Sequence, residues 1–185
     1  MPPTSQTFAV MTYNILVGGK ERMPAIEAVI RHHTPDVIGV QEANDPEAIR
    51  ALAARLGMEC VVGYASTGYH VALLSRWPIL AWANYGRPVF QKGLLAAVID
   101  LPGEAQPWHC FVGHLTADFY RVPASERQRH REILTIIECM AEARARGLPH
   151  LLMGDFNTLA PGEPFNAVGL LERVVELDAE RARTQ

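Results

Sequence analysis

Cysteine is scarce in this 185-residue chain: Cys60, Cys110 and Cys139 are the only three. They are far apart, odd in number and form no Cys-x-x-Cys, which argues against a zinc site or a disulfide framework and fits a reducing compartment. No apolar run approaches the roughly 18 residues that a membrane span needs. Met1 to Val10 lacks the basic-then-apolar pattern of a secretory leader. The expected location is therefore cytoplasmic, with no membrane span. An excess of basic residues is also missing. Seventeen Lys and Arg face twenty Asp and Glu, for a net charge of −3, so the dense positive footprint of a nucleic-acid binder is absent. An enzyme that grips phosphate through a metal does not need one. Internal repeats, linkers and low-complexity segments are absent too. With 49% apolar and 20% charged residues, the composition is that of one folded domain over residues 1–185.

What is present is patterned apolar sequence. Phe8 to Leu16 reads as a strand that ends at Gly18-Gly19. Met23 to His33 reads as a helix: Pro24 suits its first turn, Ile26, Val29 and Ile30 form one stripe, and Pro35 stops it. Val37 to Val40 is a short strand, followed at once by Gln41-Glu42. Pro46 to Leu56 is a second helix, with Asp45 as its best cap and Gly57 as its stop. Five short apolar runs come next: Cys60–Tyr64, His70–Ser75, Ile79–Tyr85, Leu94–Leu101 and Trp108–Leu115. Glycine and proline turns separate them, and their close spacing predicts antiparallel strands in place of alternating βαβ units. The pattern predicts a long helix over 124–146, capped by Ser125 and closed by Gly147. A last apolar strand then runs through Leu151-Leu152-Met153 into Gly154-Asp155-Phe156-Asn157. The tail, Leu170 to Gln185, is amphipathic. The class is mixed α and β, with many strands and about three helices packed outside.

Four strands finish in polar groups that an apolar core does not require: Asn14, Glu42, His114, and the pair Asp155 and Asn157. Residues i and i+2 on an extended backbone point the same way, which would aim Asp155 and Asn157 at one spot. Each group also has a plainer reading. Asn14, Asp155 and Asn157 are turn formers, Glu42 can be solvated, and His114 can be a satisfied rim histidine. Ser75-Arg76 reads as a surface turn. Arg121, Arg127, Arg129 and Arg131 read as a solvated helix face, with Arg127 the one placed to reach inward. If the strands lie side by side, their polar ends build one pocket at one rim of the sheet. Carboxylates and an amide are hard oxygen ligands that suit Mg²⁺ or Mn²⁺ better than zinc. Such a cation neutralises phosphate charge and stabilises a leaving oxygen. A neighbouring Asp can orient water, while His or Asn stabilises charge on the phosphorane.

Five motifs occur in order: Thr12-Tyr13-Asn14, Pro35-Asp36-Val37-Ile38-Gly39-Val40-Gln41-Glu42, Leu74-Ser75-Arg76-Trp77-Pro78-Ile79, Gly113-His114-Leu115 and Gly154-Asp155-Phe156-Asn157. Over about residues 8 to 160 this ordered set resembles the endonuclease/exonuclease/phosphatase superfamily, the DNase I-like metal-dependent phosphoesterases. The resemblance implies a four-layer α/β/β/α sandwich of two mixed sheets with outer helices. It implies Mg²⁺ or Mn²⁺ held mainly by Glu42 with Asn14 beside it. Asp155 would orient or activate the water, and Asn157 and His114 would contact the scissile phosphate. Arg127 and Gln128 match a polar pair that follows the His-Leu motif. The implied reaction is hydrolysis of a phosphodiester or phosphomonoester. Nucleic acid, a phospholipid head group, an inositol phosphate or a small diester would serve as substrate.

The sequence departs from that family in two places. His70 stands where relatives carry a small residue, so the rim is expected to be bulkier. The family's C-terminal Ser-Asp-His has no counterpart, since no Asp-His dipeptide occurs in the chain. The expectation is a C-terminally incomplete domain of weak or no turnover by itself. Its uncovered edge would be met by a partner, by self-association or by the refolded tail. The competing expectations are a non-catalytic phosphate- or metal-binding module completed by another chain, and an α/β protein unrelated to that family.

Overall fold

Two parallel strand pairs, each closed by a helical crossover, frame the molecule. The computed structural model describes residues 7–86, 88–117 and 122–158. In chain order these form β1 (Val10–Asn14), α1 (Met23–His33), β2 (Val37–Gln41), α2 (Pro46–Leu56), β3 (Glu59–Gly63), β4 (Val71–Ser75) and β5 (Ile79–Tyr85). They continue with β6 (Leu94–Ile99), β7 (Trp108–His114), α3 (Val122–Cys139), α4 (Ala141–Ala145) and β8 (His150–Asp155). Among the described residues there are two four-stranded mixed sheets, ordered β1-β2-β4-β3 and β5-β6-β7-β8. The β1–β2 and β7–β8 ladders are parallel, and the other four are antiparallel.

Side-chain alternation along the strands decides the layering. Val71 and Leu73 of β4 face inward, where they meet Leu95, Ala97 and Ile99 of β6, Val112 of β7 and Met153 of β8. Ala72 and Leu74 point the other way and pack with Ile26 and Ile30 of α1 and Ile49 and Leu52 of α2. Leu94 and Phe111 form the outer face of the second sheet, against Ile136 and Met140 at the α3–α4 end. The result is a four-layer α/β/β/α arrangement. Each fully buried Ile or Leu of these faces contributes about 1.5–3 kcal/mol of transfer free energy. Gly39 sits at a close contact between the two sheets. A Cβ there would lie 2.5 Å from Met153 Sδ and 3.2 Å from Val112 Cγ2.

Several sequence expectations need correcting. The first strand stops at Asn14, not Leu16: Leu16 and Val17 have φ of 53° and 50° and turn the chain away from the sheet. The expected single helix over 124–146 is two helices that break at Met140. The first of them starts at Val122, so Ser125 lies inside it, not at its cap, and is buried. Asp45 does cap α2, its carboxylate accepting from Ala48 N at 3.0 Å. Gly57 and Gly147 close their helices with φ of 67° and 63°. Ser75-Arg76 is a turn: Ser75 Oγ accepts from Trp77 N, while the exposed Arg76 donates to the Pro35 carbonyl. The amphipathic tail, Leu170 to Gln185, lies outside the described residues.

Candidate active site

The carboxyl ends of the parallel pairs fall at one rim, because β1 and β8 meet edge to edge across the sandwich. Asn14 ends β1 beside Gln41 of β2, and His114 ends β7 beside Asp155 of β8. Glu42 is the next residue after β2. Its φ of 58° is unusual for a side chain with a Cβ and of a kind that costs about 1–3 kcal/mol. The neighbours hold it there: its carbonyl accepts from Gly18 N and Asn44 N, both at 2.8 Å.

The predicted residues come together. Asn14 Nδ2 donates to Asp155 Oδ2 at 2.9 Å and lies 3.3 Å from Glu42 Oε1. Glu42 Oε2 accepts from Val17 N at 2.7 Å. Glu42 is 9% exposed and His114 1%. His114 Nε2 is 3.7 Å from Asp155 Oδ2. Asp155 and Asn157 also meet, though not through an extended backbone. Asn157 has φ of 48°, and its N–H folds back onto Asp155 Oδ1 at 3.0 Å. That is an Asx turn, which orients the carboxylate as well as making the bend. Asn157 Nδ2 donates to the Leu115 carbonyl at 3.0 Å, which among the described residues leaves its second N–H and its oxygen without a partner. Gly154, with φ of 154°, permits the close β7–β8 approach, since a Cβ there would strike the Gly113 carbonyl.

A cleft of about 840 Å³ opens beside this cluster. Asn14, Asp155 and Asn157 line it together with apolar Leu115, Ile133 and Phe156, and Glu126, Arg129 and His130 of α3 add polar groups. Glu42 and His114 stand behind Asn14, Asp155 and Asn157.

Some side chains took places that the sequence did not assign. Lys92, just before β6, directs Nζ to His114 Nε2 at 2.9 Å and lies 5.2 Å from the centre of the Tyr69 ring. The antiparallel pairing of Leu94 with Gly113 brings it to the end of β7. An ammonium only donates, so Nε2 accepts and the ring proton sits on Nδ1, which is buried without a partner among the described residues. Burial, followed by the Lys92 charge, lowers the His114 pKa from 6.5 to about 4 against the pull of Asp155 and Glu42. His114 is thus neutral at pH 7, and its approach to Asp155 is not an ion pair. Burial also lowers the Lys92 pKa, opposed by Glu42, Asp155 and Glu132. A lone Lys between Gln91 and Gly93 gives little sequence signal beyond its place directly before an apolar run.

The arginine expectation changes. Arg127 is exposed, and it is Arg129 that reaches inward to the Thr116 carbonyl and Ser125 Oγ, both at 3.2 Å. Gln128 donates to the Val89 carbonyl at 2.6 Å. Glu132 is fully buried and accepts from Thr116 N and Thr116 Oγ1 at 2.8 and 2.7 Å. That anchors the segment leaving His114. His70 takes no part in the carboxylate cluster: its Nδ1 accepts from Ala65 N and its ring packs on Tyr64.

The donor set suits a hard divalent cation through Glu42 and Asp155, since Mg²⁺ commonly takes only one or two protein carboxylates. Among the described residues Glu42 Oε1 has only the 3.3 Å contact to the Asn14 amide. Asn14 is a weaker fit as a ligand, because its oxygen accepts from Leu16 N at 3.0 Å and its nitrogen faces the carboxylates. Among the described residues no group of three His, Cys, Asp or Glu stands ready to hold a metal. The cysteines are remote from such chemistry. Burial pushes the Cys60 thiol up to about 11 and the Cys110 thiol up to about 12.

The family model described as Endonuclease/Exonuclease/phosphatase family matches residues 11–169. No curated protein matches the sequence. Solved structures share the fold. D. rerio TDP2 complexed with single strand DNA product aligns with a TM-score of 0.66 and 20% identity over 83% of this chain and 62% of that one. The human Nocturnin catalytic domain with bound sulfate anion gives 0.64 and 19% over 84% and 66%. Sphingomyelinase C from Streptomyces griseocarneus gives 0.65 and 23% over 83% and 65%. The chain spans just under two thirds of the length of these structures. In all of them the likeness is one of fold.

Proposed function

We propose a hydrolytic role from one premise: the chain belongs to the endonuclease/exonuclease/phosphatase family, whose members hydrolyse phosphate esters. The reaction is attack of water on the phosphorus of a phosphodiester or phosphomonoester, assisted by Mg²⁺ or Mn²⁺. The observation that carries the reading is the Asn14 amide, which faces both Glu42 and Asp155, residues 28 and 141 positions away in the chain. Glu42, with Asn14 beside it, would hold the cation. When bound, the cation supplies charge neutralisation at the phosphate and stabilises the leaving oxygen.

The chain's own residues do the rest. Asp155 orients the attacking water and draws off its proton. Its two oxygens are fixed by Asn14 Nδ2 and Asn157 N, so the carboxylate is aimed before substrate arrives. The Asn157 N–H left over from Leu115 among the described residues donates to a phosphoryl oxygen, and His114 does so through Nε2–H once Lys92 turns away and the ring proton moves to that atom. The sulfate-bound nocturnin domain and the DNA product of TDP2 favour a phosphate ester, nucleic acid included. The test is turnover of bis(p-nitrophenyl) phosphate, p-nitrophenyl phosphate and a single-stranded oligonucleotide with Mg²⁺ or Mn²⁺. Slow metal-dependent release is expected, impaired by the missing Ser-Asp-His counterpart, with a loss of roughly 100-fold or more in Asp155→Asn and an unchanged circular dichroism spectrum. Equal turnover by Asp155→Asn would refute the assignment.

One observation favours a second reading, a non-catalytic phosphate- or metal-binding module. The site's described residues provide two carboxylates and no third acidic, histidine or cysteine ligand grouped with them. Metal and phosphate binding without release from any of the three substrates would decide for it.

A further inference from the structure

Arg129 lines the cleft and is spoken for by Thr116 and Ser125, whereas Lys92 bonds His114 of the cluster itself, and the catalytic reading gives it no task. Its ammonium has three N–H donors. Among the described residues His114 Nε2 takes one at 2.9 Å, and the Tyr69 ring face lies 5.2 Å away. The charged groups facing it are Glu42, Asp155 and Glu132, together with the neutral His114 ring. None of these carboxylates forms an ion pair with it within 4 Å. A partly buried ammonium held short of its counter-ions, with two N–H groups unassigned among the described residues, is chemically suited to take an anion. Its backbone is fixed as well: Gly93 has φ of 94° and its carbonyl accepts from His114 N at 3.3 Å. The backbone beside Lys92 is thus tied to that of His114, while the lysine side chain can still turn.

Resting on the hydrolase reading, we propose that Lys92 is a substrate-contacting residue that binds a non-bridging phosphoryl oxygen with its ammonium. Before substrate arrives it caps His114 Nε2. When a phosphoryl group enters between the carboxylate pair and β7, Lys92 turns a donor to the oxygen and stabilises the charge that grows there. His114 Nε2 is released in the same movement. The ligand chemistry is an anionic phosphoryl group, from a nucleic acid, a lipid head group or a free phosphate ester alike.

The experiment uses the whole chain with saturating Mg²⁺ and inorganic phosphate as the probe, followed by calorimetry. Lys92→Met should bind phosphate roughly 10- to 100-fold more weakly, the loss of one charge-assisted hydrogen bond. Lys92→Arg should recover part of that affinity. The decisive arm places Lys92→Met on a His114→Ala background. A further loss of about 10-fold supports direct contact. No further loss means that Lys92 acts only through His114, and the proposal falls. Mn²⁺ affinity, read by electron paramagnetic resonance, should stay equal or tighten when the lysine charge is removed; a loss would mean that Lys92 supports the metal site and would overturn the assignment. Lys92-dependent phosphate binding without turnover of any ester would keep this inference and end the hydrolase reading. Turnover with Lys92-independent phosphate binding would do the reverse.

Discussion

Acidifying the metal-free protein from pH 7 to pH 5 should remove roughly 2 kcal/mol of folding stability through His114 alone. The ring is buried and neighbours the Lys92 ammonium, and these two effects lower its pKa from 6.5 to about 4 in the folded chain. In the unfolded chain it returns to the ordinary value. Between those two pKa values the unfolded state binds a proton that the native state refuses. Stability from this group is therefore present above about pH 6.5 and is lost as pH falls toward 4. The full span is worth about 3 kcal/mol, at about 1.4 kcal/mol per pH unit, most of it between pH 6.5 and 4. The assay is urea unfolding in EDTA at pH 7, 6 and 5, for wild type and His114→Gln. The other ionisable groups are common to both proteins, so their contribution drops out of the difference. The wild type should lose about 2 kcal/mol more than the variant over this range. Parallel pH dependences would refute the burial and hydrogen-bond argument for His114.

Two further outcomes test the packing that sets up the rim. Gly39→Val pushes a branched side chain into Met153 and Val112 and should destabilise by about 1–3 kcal/mol or more in urea, with the first and second sheets forced apart; a neutral effect would contradict the close sheet contact. Glu132→Leu strips the acceptor from both the N–H and the hydroxyl of buried Thr116. It should cost about 1–3 kcal/mol and lower turnover through the segment that follows His114, with Glu132→Gln milder because its amide oxygen can still accept.

Much of the architecture was legible because local signals and tertiary packing agree. Met23–His33, Pro46–Leu56 and Ile79–Tyr85 begin and end where Pro, Gly and apolar period place them. Disagreement appeared where a side chain's character and its backbone diverge. Leu16 and Val17 look like strand residues yet adopt positive φ, because the chain must turn to put Val17 N on Glu42. The break at Met140 has no Gly or Pro to announce it. Of the candidate site, Asn14, Glu42, His114, Asp155 and Asn157 were legible as polar groups ending apolar runs, and the ordered motifs tied them together. The geometry joining Asp155 to Asn157 was not, since an Asx turn and an extended i, i+2 pair share one sequence. Lys92 stayed hidden for a different reason. A single lysine in a turn is ordinary, and only the β6–β7 register carries it to His114.

The central claim is that Glu42, with Asn14 beside it, seats a divalent cation next to the water-orienting Asp155. The most direct measurement is a Mn²⁺ titration by electron paramagnetic resonance on wild type and Glu42→Gln, each checked for an unchanged fold by circular dichroism. Saturable binding by the wild type, at least roughly 10-fold weaker in Glu42→Gln, is the predicted result. Equal affinity in the two proteins, or no saturable binding by the wild type, would contradict it.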